Sequence, residues 1–350
     1  MSEGMSEDKS GSFRIEIKQT GDTYQCPADD TVLRSGLRAG FGIAYECNVG
    51  GCGTCKFELV EGEVETLWEE AAGLNERDRK RGRRLACQSR PLSDCVIKPI
   101  LGDHFRPVHV PHRFDAELVE INKLTHDLWE FRFRDEEPAR FLAGQYAVLD
   151  FPGVEGGRAY SMSNLGNDGG TWDFMIKRVP GGSGTAYLFD ELQVGKTLPM
   201  DGPYGLAYLR TDIQRDVVCI AGGSGLAPCV SIARAFAETP ELQDRQLHFF
   251  YGGRGPEDIC GEAELRELPG FGERIHYHAA ISMEELNRDG QWNGYVGFVH
   301  DFARDTLTED QLQNSEFYMA GPPPMVQAVM TMLAADKKVP PDRIHYDSFF

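Results

Sequence analysis

Cys47, Cys52 and Cys55 lie close together in Glu46-Cys47-Asn48-Val49-Gly50-Gly51-Cys52-Gly53-Thr54-Cys55, and Cys87 follows in Leu85-Ala86-Cys87-Gln88. The spacing C-x4-C-x2-C with a distant fourth cysteine is the pattern by which four thiolates ligate a plant-type 2Fe–2S cluster, a one-electron carrier. Gly50, Gly51 and Gly53 suit it, because glycine admits positive φ and lets the backbone wrap closely around a metal group. Amide N–H groups in such a loop can then point at sulfur and stabilise its charge. The alternatives are zinc and inert buried thiols. Zinc takes two C-x2-C knuckles, or one knuckle with two histidines, and only one knuckle is present.

Further glycine-rich turns occur downstream. The apolar run Val217–Ala221 leads into Gly222-Gly223-Ser224-Gly225-Leu226-Ala227-Pro228 and then a helical stretch around Val230–Ala237. Pro228 stands where the third glycine of a G-x-G-x-x-G fingerprint belongs, yet proline is favoured in a first helical turn. A helix N-terminus behind such a turn binds pyrophosphate, and a tight strand–helix turn with no ligand is the alternative reading. Arg158-Ala159-Tyr160-Ser161 and Gly181-Gly182-Ser183-Gly184-Thr185, the latter ahead of a helical Ala186–Leu192, come before it. Ala320-Gly321-Pro322-Pro323-Pro324-Met325 comes after it, behind the strand Phe317–Met319.

The elements that must position these residues fall into three blocks of the 350-residue chain. In the first, 1–102, a strand at Phe13–Ile17, a helix over Val32–Leu37 capped by Thr31, and strands at Lys56–Val60 and Cys95–Ile97 predict a β-grasp ferredoxin domain. A Pro- and His-rich linker, 103–112, follows. The second block, 113–210, alternates in Ala116–Ile121, Leu128–Phe133 and Tyr146–Phe151, as an antiparallel barrel requires. The third, 211–350, alternates strand and helix (Val217–Ala221, Leu247–Tyr251 and Phe317–Met319 among the strands), which predicts a doubly wound parallel sheet. The fold class is therefore multidomain, α+β and α/β. The net charge of −19, concentrated beyond residue 100, argues against nucleic acid. No apolar run reaches the length of a membrane span. Met1–Ser12 lacks the apolar core of a secretory signal, so a soluble cytoplasmic protein is expected. A basic run, Arg77, Arg79, Lys80, Arg81, Arg83 and Arg84, leads to Cys87. It is either a solvated helix face or a docking surface for an acidic electron acceptor.

Taken in order, the cysteine set, Arg-x-Tyr-Ser, the glycine turn and Gly-Pro-Pro resemble the NADH reductase components of multicomponent oxygenases. These serve phenol, toluene, xylene and methane monooxygenases and benzoate dioxygenase. The resemblance spans essentially the whole chain beyond the first dozen residues. It implies a ferredoxin-NADP reductase-like pair of domains, an FAD barrel and an NAD domain, behind the ferredoxin domain. It also implies hydride transfer from NADH to FAD and single-electron passage to the cluster, then to an oxygenase hydroxylase or an intermediary ferredoxin. Under it, Arg158 neutralises the FAD pyrophosphate, Tyr160 stacks on the isoalloxazine and Ser161 lies near flavin N5. Gly182, Gly184 and Thr185 hold the FAD phosphates, and Gly202-Pro203-Tyr204-Gly205 is the turn closing the barrel. Gly222, Gly223, Gly225 and Pro228 cradle the NADH pyrophosphate, with Arg254 a further nucleotide-binding candidate. Gly321, Pro322 and Met325 line the nicotinamide pocket. Phe349 stands against the flavin face that nicotinamide must occupy, unless the tail is packing alone. No acid–base residue is required. Ala320 departs from the cysteine usual in this family. The rival readings are a related reductase serving a non-oxygenase acceptor, as in deoxysugar biosynthesis, and a redox-sensing iron–sulfur module.

Overall fold

The computed structural model describes residues 11–288, 290 and 292–348, with Ser348 described by its backbone only. It divides into two compact units, one up to His112 and one from Arg113 onward.

The first unit contains β1 (Ser12–Ile17), β2 (Thr23–Pro27), α1 (Val32–Arg38), β3 (Lys56–Glu61), β4 (Val64–Thr66), α2 (Glu76–Lys80), β5 (Arg83–Leu85), β6 (Ser89–Pro91) and β7 (Cys95–Pro99). Its main sheet runs β2-β1-β7-β3-β5. β1 and β7 pair in parallel, Ile15 opposite Cys95, while β1–β2 and β3–β7 are antiparallel. This is the β-grasp arrangement that the alternation in Phe13–Ile17 predicted. Ile15 and Ile17 point into the core with Leu33, Leu37, Phe57 and Ile97, all but fully buried; each such side chain contributes roughly 1.5–3 kcal/mol. Thr31 caps α1 as expected, its hydroxyl accepting the Arg34 N–H at 3.2 Å.

The second unit joins two sheets. Its barrel is built from β8 (His112–Lys123), β9 (Leu128–Arg134), β10 (Tyr146–Leu149), β11 (Arg158–Ser161), β12 (Thr171–Lys177), the short α3 (Ser183–Ala186) and β13 (Thr197–Tyr204). The strand order is β11-β10-β13-β8-β9-β12. A bridge from Met162 to Phe174 brings the two edges together, so the antiparallel sheet is nearly closed and leaves little edge exposed. The expected turn at Gly202-Pro203-Tyr204 is instead the end of β13, because its pairing with β10 runs on to Tyr146 opposite Tyr204.

The remaining elements are β14 (Asp216–Gly222), α4 (Leu226–Glu238), β15 (Leu247–Gly253), α5 (Glu262–Arg266), β16 (Ile275–Ile281), β17 (Tyr295–Val296), α6 (Val299–Thr306), α7 (Glu309–Asn314), β18 (Ser315–Gly321), α8 (Pro323–Met330) and β19 (Ile344–Ser348). The order β17-β16-β15-β14-β18-β19 is parallel throughout. The chain winds outward from β14 to β17, then returns to β18 on β14's other side. That reversal makes the carboxyl ends of β14 and β18 the topological switch point, where open α/β sheets bind ligands.

One buried charge belongs to this sheet. Glu316, 1% exposed on β18, is ion-paired with Arg215 and, at 2.9 Å, with His345 on β19. Burial alone would raise its carboxyl, but the bonds from His345 and Arg215 outweigh that and hold it below the usual carboxylate range. A lowered folded pKa gives stability that is complete above the unfolded value and disappears as pH falls through the folded one. Glu316→Ala should therefore cost about 1–3 kcal/mol at neutral pH, since it removes the buried carboxylate that Arg215 and His345 bond. The deficit should shrink below about pH 4, as read from urea midpoints of wild type and variant across that range.

Candidate functional site

The cysteine loop runs from the end of α1 to β3 and is shaped by left-handed residues. Gly50 (φ 90°) and Gly53 (φ 79°) take that conformation as expected, whereas Gly51 does not; Asn48 (φ 56°) takes it as well. Asparagine tolerates it because its short polar side chain bonds locally, here receiving Arg34 Nε at 3.3 Å. The loop lies against 68–74: Gly73 N–H donates to Gly50 O at 3.0 Å, and a Cβ on Gly53 would meet Gly73 O at 2.3 Å.

The four thiols form two pairs. Cys55 and Cys87 are buried, with Sγ atoms 3.3 Å apart. Cys47 and Cys52 share a second thiol contact. The Cys52 N–H donates to Cys47 Sγ at 3.3 Å and the Thr54 N–H to Cys52 Sγ at 3.5 Å. The contact from Cys52, opposed by burial and aided by the Cys52 and Val49 amides, pulls the Cys47 thiol down to about 6. Its contact with Cys55, then burial, pushes the Cys87 thiol up. Two sulfur pairs with amide donors form the donor set of a cluster with two irons, each taking two thiolates. Sequence reasoning passed over Trp68 and Gln88. A Cβ on Gly50 would touch both at 3.0–3.1 Å, and Gln88 Nε2 lies 3.9 Å from Cys87 Sγ. Gln88 adjoins a ligand cysteine in sequence; Trp68 carries no such signal.

Arg158-Ala159-Tyr160-Ser161 is strand β11 rather than a turn, paired with β10 so that Tyr160 faces Ala147 and Ser161 faces Tyr146. The Arg158 guanidinium curls onto the carbonyls of Glu155, Gly156 and Gly157 at 2.8–3.3 Å. Tyr160 meets Phe151 edge-on at 6.3 Å, and burial pushes its hydroxyl up to about 12. Ser161 is buried. The second glycine turn is brought to the same place: a Cβ on Gly184 would lie 3.1 Å from Phe151 and 3.3 Å from Arg158 Cγ. Gly182 caps α3. The Thr185 hydroxyl is engaged within the turn, accepting the Val179 N–H at 3.1 Å, so it shapes the loop rather than facing a ligand.

At the switch point the two remaining motifs abut. A Cβ on Gly225 would lie 1.9 Å from Ala320 O, one on Gly222 2.7 Å from Met325 Sδ, and one on Gly321 2.9 Å from Gly222 O. Only glycine allows this approach. Pro228 is buried in the first turn of α4, and Pro322 is exposed as the cap of α8. The α4 N–H groups and dipole point at the cradle. Arg254 follows β15 with 58% of its side chain exposed. Lys177, which no motif announced, lies 3.4 Å from where a Cβ on Gly223 would sit. Phe349 lies outside the described residues. Among the described residues no helix is long and apolar enough to cross a membrane.

Three family models match in succession: the 2Fe-2S iron-sulfur cluster binding domain over 15–92, the oxidoreductase FAD-binding domain over 115–208 and the oxidoreductase NAD-binding domain over 219–331. A ferredoxin–NAD(P)+ reductase of Metapseudomonas resinovorans is 42% identical over 332 residues, covering 93% of this chain and 96% of that one. The ferredoxin–NAD+ reductase component of the alkene monooxygenase system of Xanthobacter autotrophicus is 38% identical, covering 94% and 98%. Among solved structures, the ferredoxin reductase in carbazole 1,9a-dioxygenase superposes with a TM-score of 0.89 at 38% identity, over 97% of this chain and 99% of that one.

The close approaches separate the sites experimentally. Gly53→Ala places a methyl group against a backbone oxygen at a left-handed position and should lower iron content several-fold while flavin content is kept. Gly225→Ala, against the Ala320 carbonyl, should do the reverse: full iron and flavin, with KM for NADH raised at least about tenfold, or 1.4 kcal/mol. Iron and flavin assays with steady-state kinetics check both.

Proposed function

Because the chain belongs to the family of FAD- and 2Fe–2S-containing reductase components of oxygenase systems, we propose that it draws electrons from NADH and delivers them to the hydroxylase of a multicomponent mono- or dioxygenase. The hydroxylase acts on an aromatic or hydrocarbon substrate, and delivery is direct or through an intermediary ferredoxin. The observation that carries the reading is the assembly, along one chain, of paired cluster thiols, an arginine-lined flavin strand and a glycine cradle at a switch point.

When bound, the three groups supply a hydride donor, a converter from electron pairs to single electrons, and a one-electron relay. The protein's part is holding and orienting. Cys47 with Cys52 and Cys55 with Cys87 each hold one iron. Arg158 and the amides at Gly182–Gly184 take the FAD pyrophosphate, guanidinium and amide donors both matching phosphate oxygens. Tyr160 would offer its ring face to the isoalloxazine, and Ser161 would supply a hydroxyl beside it. Gly222–Gly225 and the α4 N-terminus take the nucleotide pyrophosphate, and Gly321, Pro322 and Met325 enclose the nicotinamide. Catalysis of this kind rests on ring placement. None of the nine cysteines is in a disulfide, which supports a reducing, cytoplasmic setting.

Purified protein should contain about two irons and one FAD per chain, and reduction should give a rhombic S = 1/2 signal. Cys87→Ser should lose that signal while NADH still bleaches the flavin. Zinc in place of iron, or a flavin that NADH cannot bleach, would count against the reading.

Electron delivery should depend on the basic surface beside Cys87. Arg77, Arg81 and Arg83 are exposed around α2 and β5, and Arg84 lines a recess with Trp68, Leu74 and Gln88. Arg83 is paired with Asp78, whereas Arg84 Nη1 donates to the backbone carbonyl of Arg83 at 3.2 Å. Charge reversal of Arg81 and Arg84 should slow reduction of the acceptor protein at low salt and flatten its salt dependence. Flavin reduction, followed by stopped flow, should keep its rate.

A further inference from the structure

We propose that Asp127 and Asp258 set the nucleotide preference of this protein by holding Lys177 and Arg254, the cations beside the pyrophosphate cradle, away from a 2′-phosphate. The inference rests on the reading that the nucleotide lies on Gly222–Gly225.

In doubly wound sheets the ribose of a dinucleotide is read beyond the second strand, where an acid accepts the free 2′-hydroxyl and an arginine accommodates a 2′-phosphate. By sequence, the arginine directly after β15, Arg254, stands with two acids, Glu257 and Asp258, a mixture that favours NADH over NADPH. The structure sets one of those acids on the arginine. Asp258, with only 5% of its side chain exposed, accepts the backbone N–H of Arg254 at 3.1 Å and of Gly255 at 3.0 Å. Its other oxygen accepts Lys177 Nζ at 3.0 Å and lies 3.6 Å from the Arg254 guanidinium. Asp127, in the turn before β9, accepts Lys177 Nζ at 2.8 Å and lies 3.9 Å from the same guanidinium. Thr125 Oγ1 steadies Asp127 at 3.3 Å.

The arrangement is neutral: two carboxylates against an ammonium and a guanidinium. His126 stands 3.5 Å from Asp127 at its rim. His126, Asp127 and Asp258 are spaced as metal ligands would be, but the Lys177 ammonium already bridges the two carboxylates. A 2′-phosphate arriving here finds its cations already paired and two anions beside them. Asp258 cannot swing away, because two amides pin its carboxylate. A ribose with a free 2′-hydroxyl meets no such repulsion. The clamp also draws from both halves of the second unit, Asp127 and Lys177 from the barrel and Asp258 and Arg254 from the parallel sheet. A barrel residue therefore takes part in selecting between nucleotides.

The test uses holoenzyme, with calorimetric Kd values for 5′-AMP and 2′,5′-ADP and kcat/KM for NADH and NADPH with ferricyanide as acceptor. Wild type should favour 5′-AMP and NADH. Asp127→Asn leaves both amide bonds to Asp258 in place, so it should keep the fold and shift both ratios toward the 2′-phosphorylated partner about tenfold, or 1.4 kcal/mol. Asp258→Asn should shift them further if it folds. Adding Arg254→Ala to Asp127→Asn should cancel most of the shift. Ratios unmoved in Asp127→Asn, or a wild type binding 2′,5′-ADP as tightly as 5′-AMP, would overturn the proposal. Failure of wild type to bind either mononucleotide would instead remove the placement on the glycine cradle, and the proposal with it.

Discussion

The second unit depends on a polar seam between α4 and the segment that follows the flavin strand. Ser231 Oγ donates to Asn164 O at 2.7 Å, and Arg234 donates to Ser163 O at 2.7 Å. Ser163 in turn donates through its hydroxyl to the buried Glu130 at 3.0 Å, whose carboxyl is raised first by burial and then by Asp173. Left unmade, each of these buried groups would cost about 1–3 kcal/mol. The bonds therefore fix the register between two sheets whose own hydrogen bonding does not link them. The N–H of Arg210 on the Tyr318 hydroxyl, 3.0 Å, repeats the device on the next strand over. Because α4 begins at the Gly222–Gly225 turn and touches the chain just past Ser161, one helix relates both places proposed for the rings.

Much of this was legible in the primary structure, and for identifiable reasons. The cluster thiols were readable because three of four sit in one loop, where spacing alone states geometry. The run Val217–Ala221 with its glycine turn was readable because a strand buried on both faces must be apolar throughout, and β14 is buried along nearly its whole length. Boundaries were close wherever a cap or a breaker marked them, as at Thr31.

The unread parts are those set by partners distant in sequence. Gly73 looks like any loop glycine until Gly53 is packed on it. The strand character of the flavin motif went unread because its pairing with β10 has no local signature. Lys177 ends a barrel strand as many lysines do; only the approach of Gly223 and Asp258 gives it a place in the site. Ala320 illustrates the same limit. Its side chain belongs to the apolar cluster under α4, and its carbonyl, not its side chain, makes the contact that excludes any larger residue at 225.

The first unit closes on itself within a short, continuous stretch of chain. Its central parallel pairing joins β1 to β7, which ends at Pro99, and all four cluster thiols lie between those strands. During synthesis, everything needed to form this sheet and present its thiols leaves the ribosome before the barrel is complete, since domains fold as units from the N-terminus onward. Iron delivery and flavin capture are thereby separated in time. A chain interrupted in the barrel would still carry a finished electron relay with nothing to feed it.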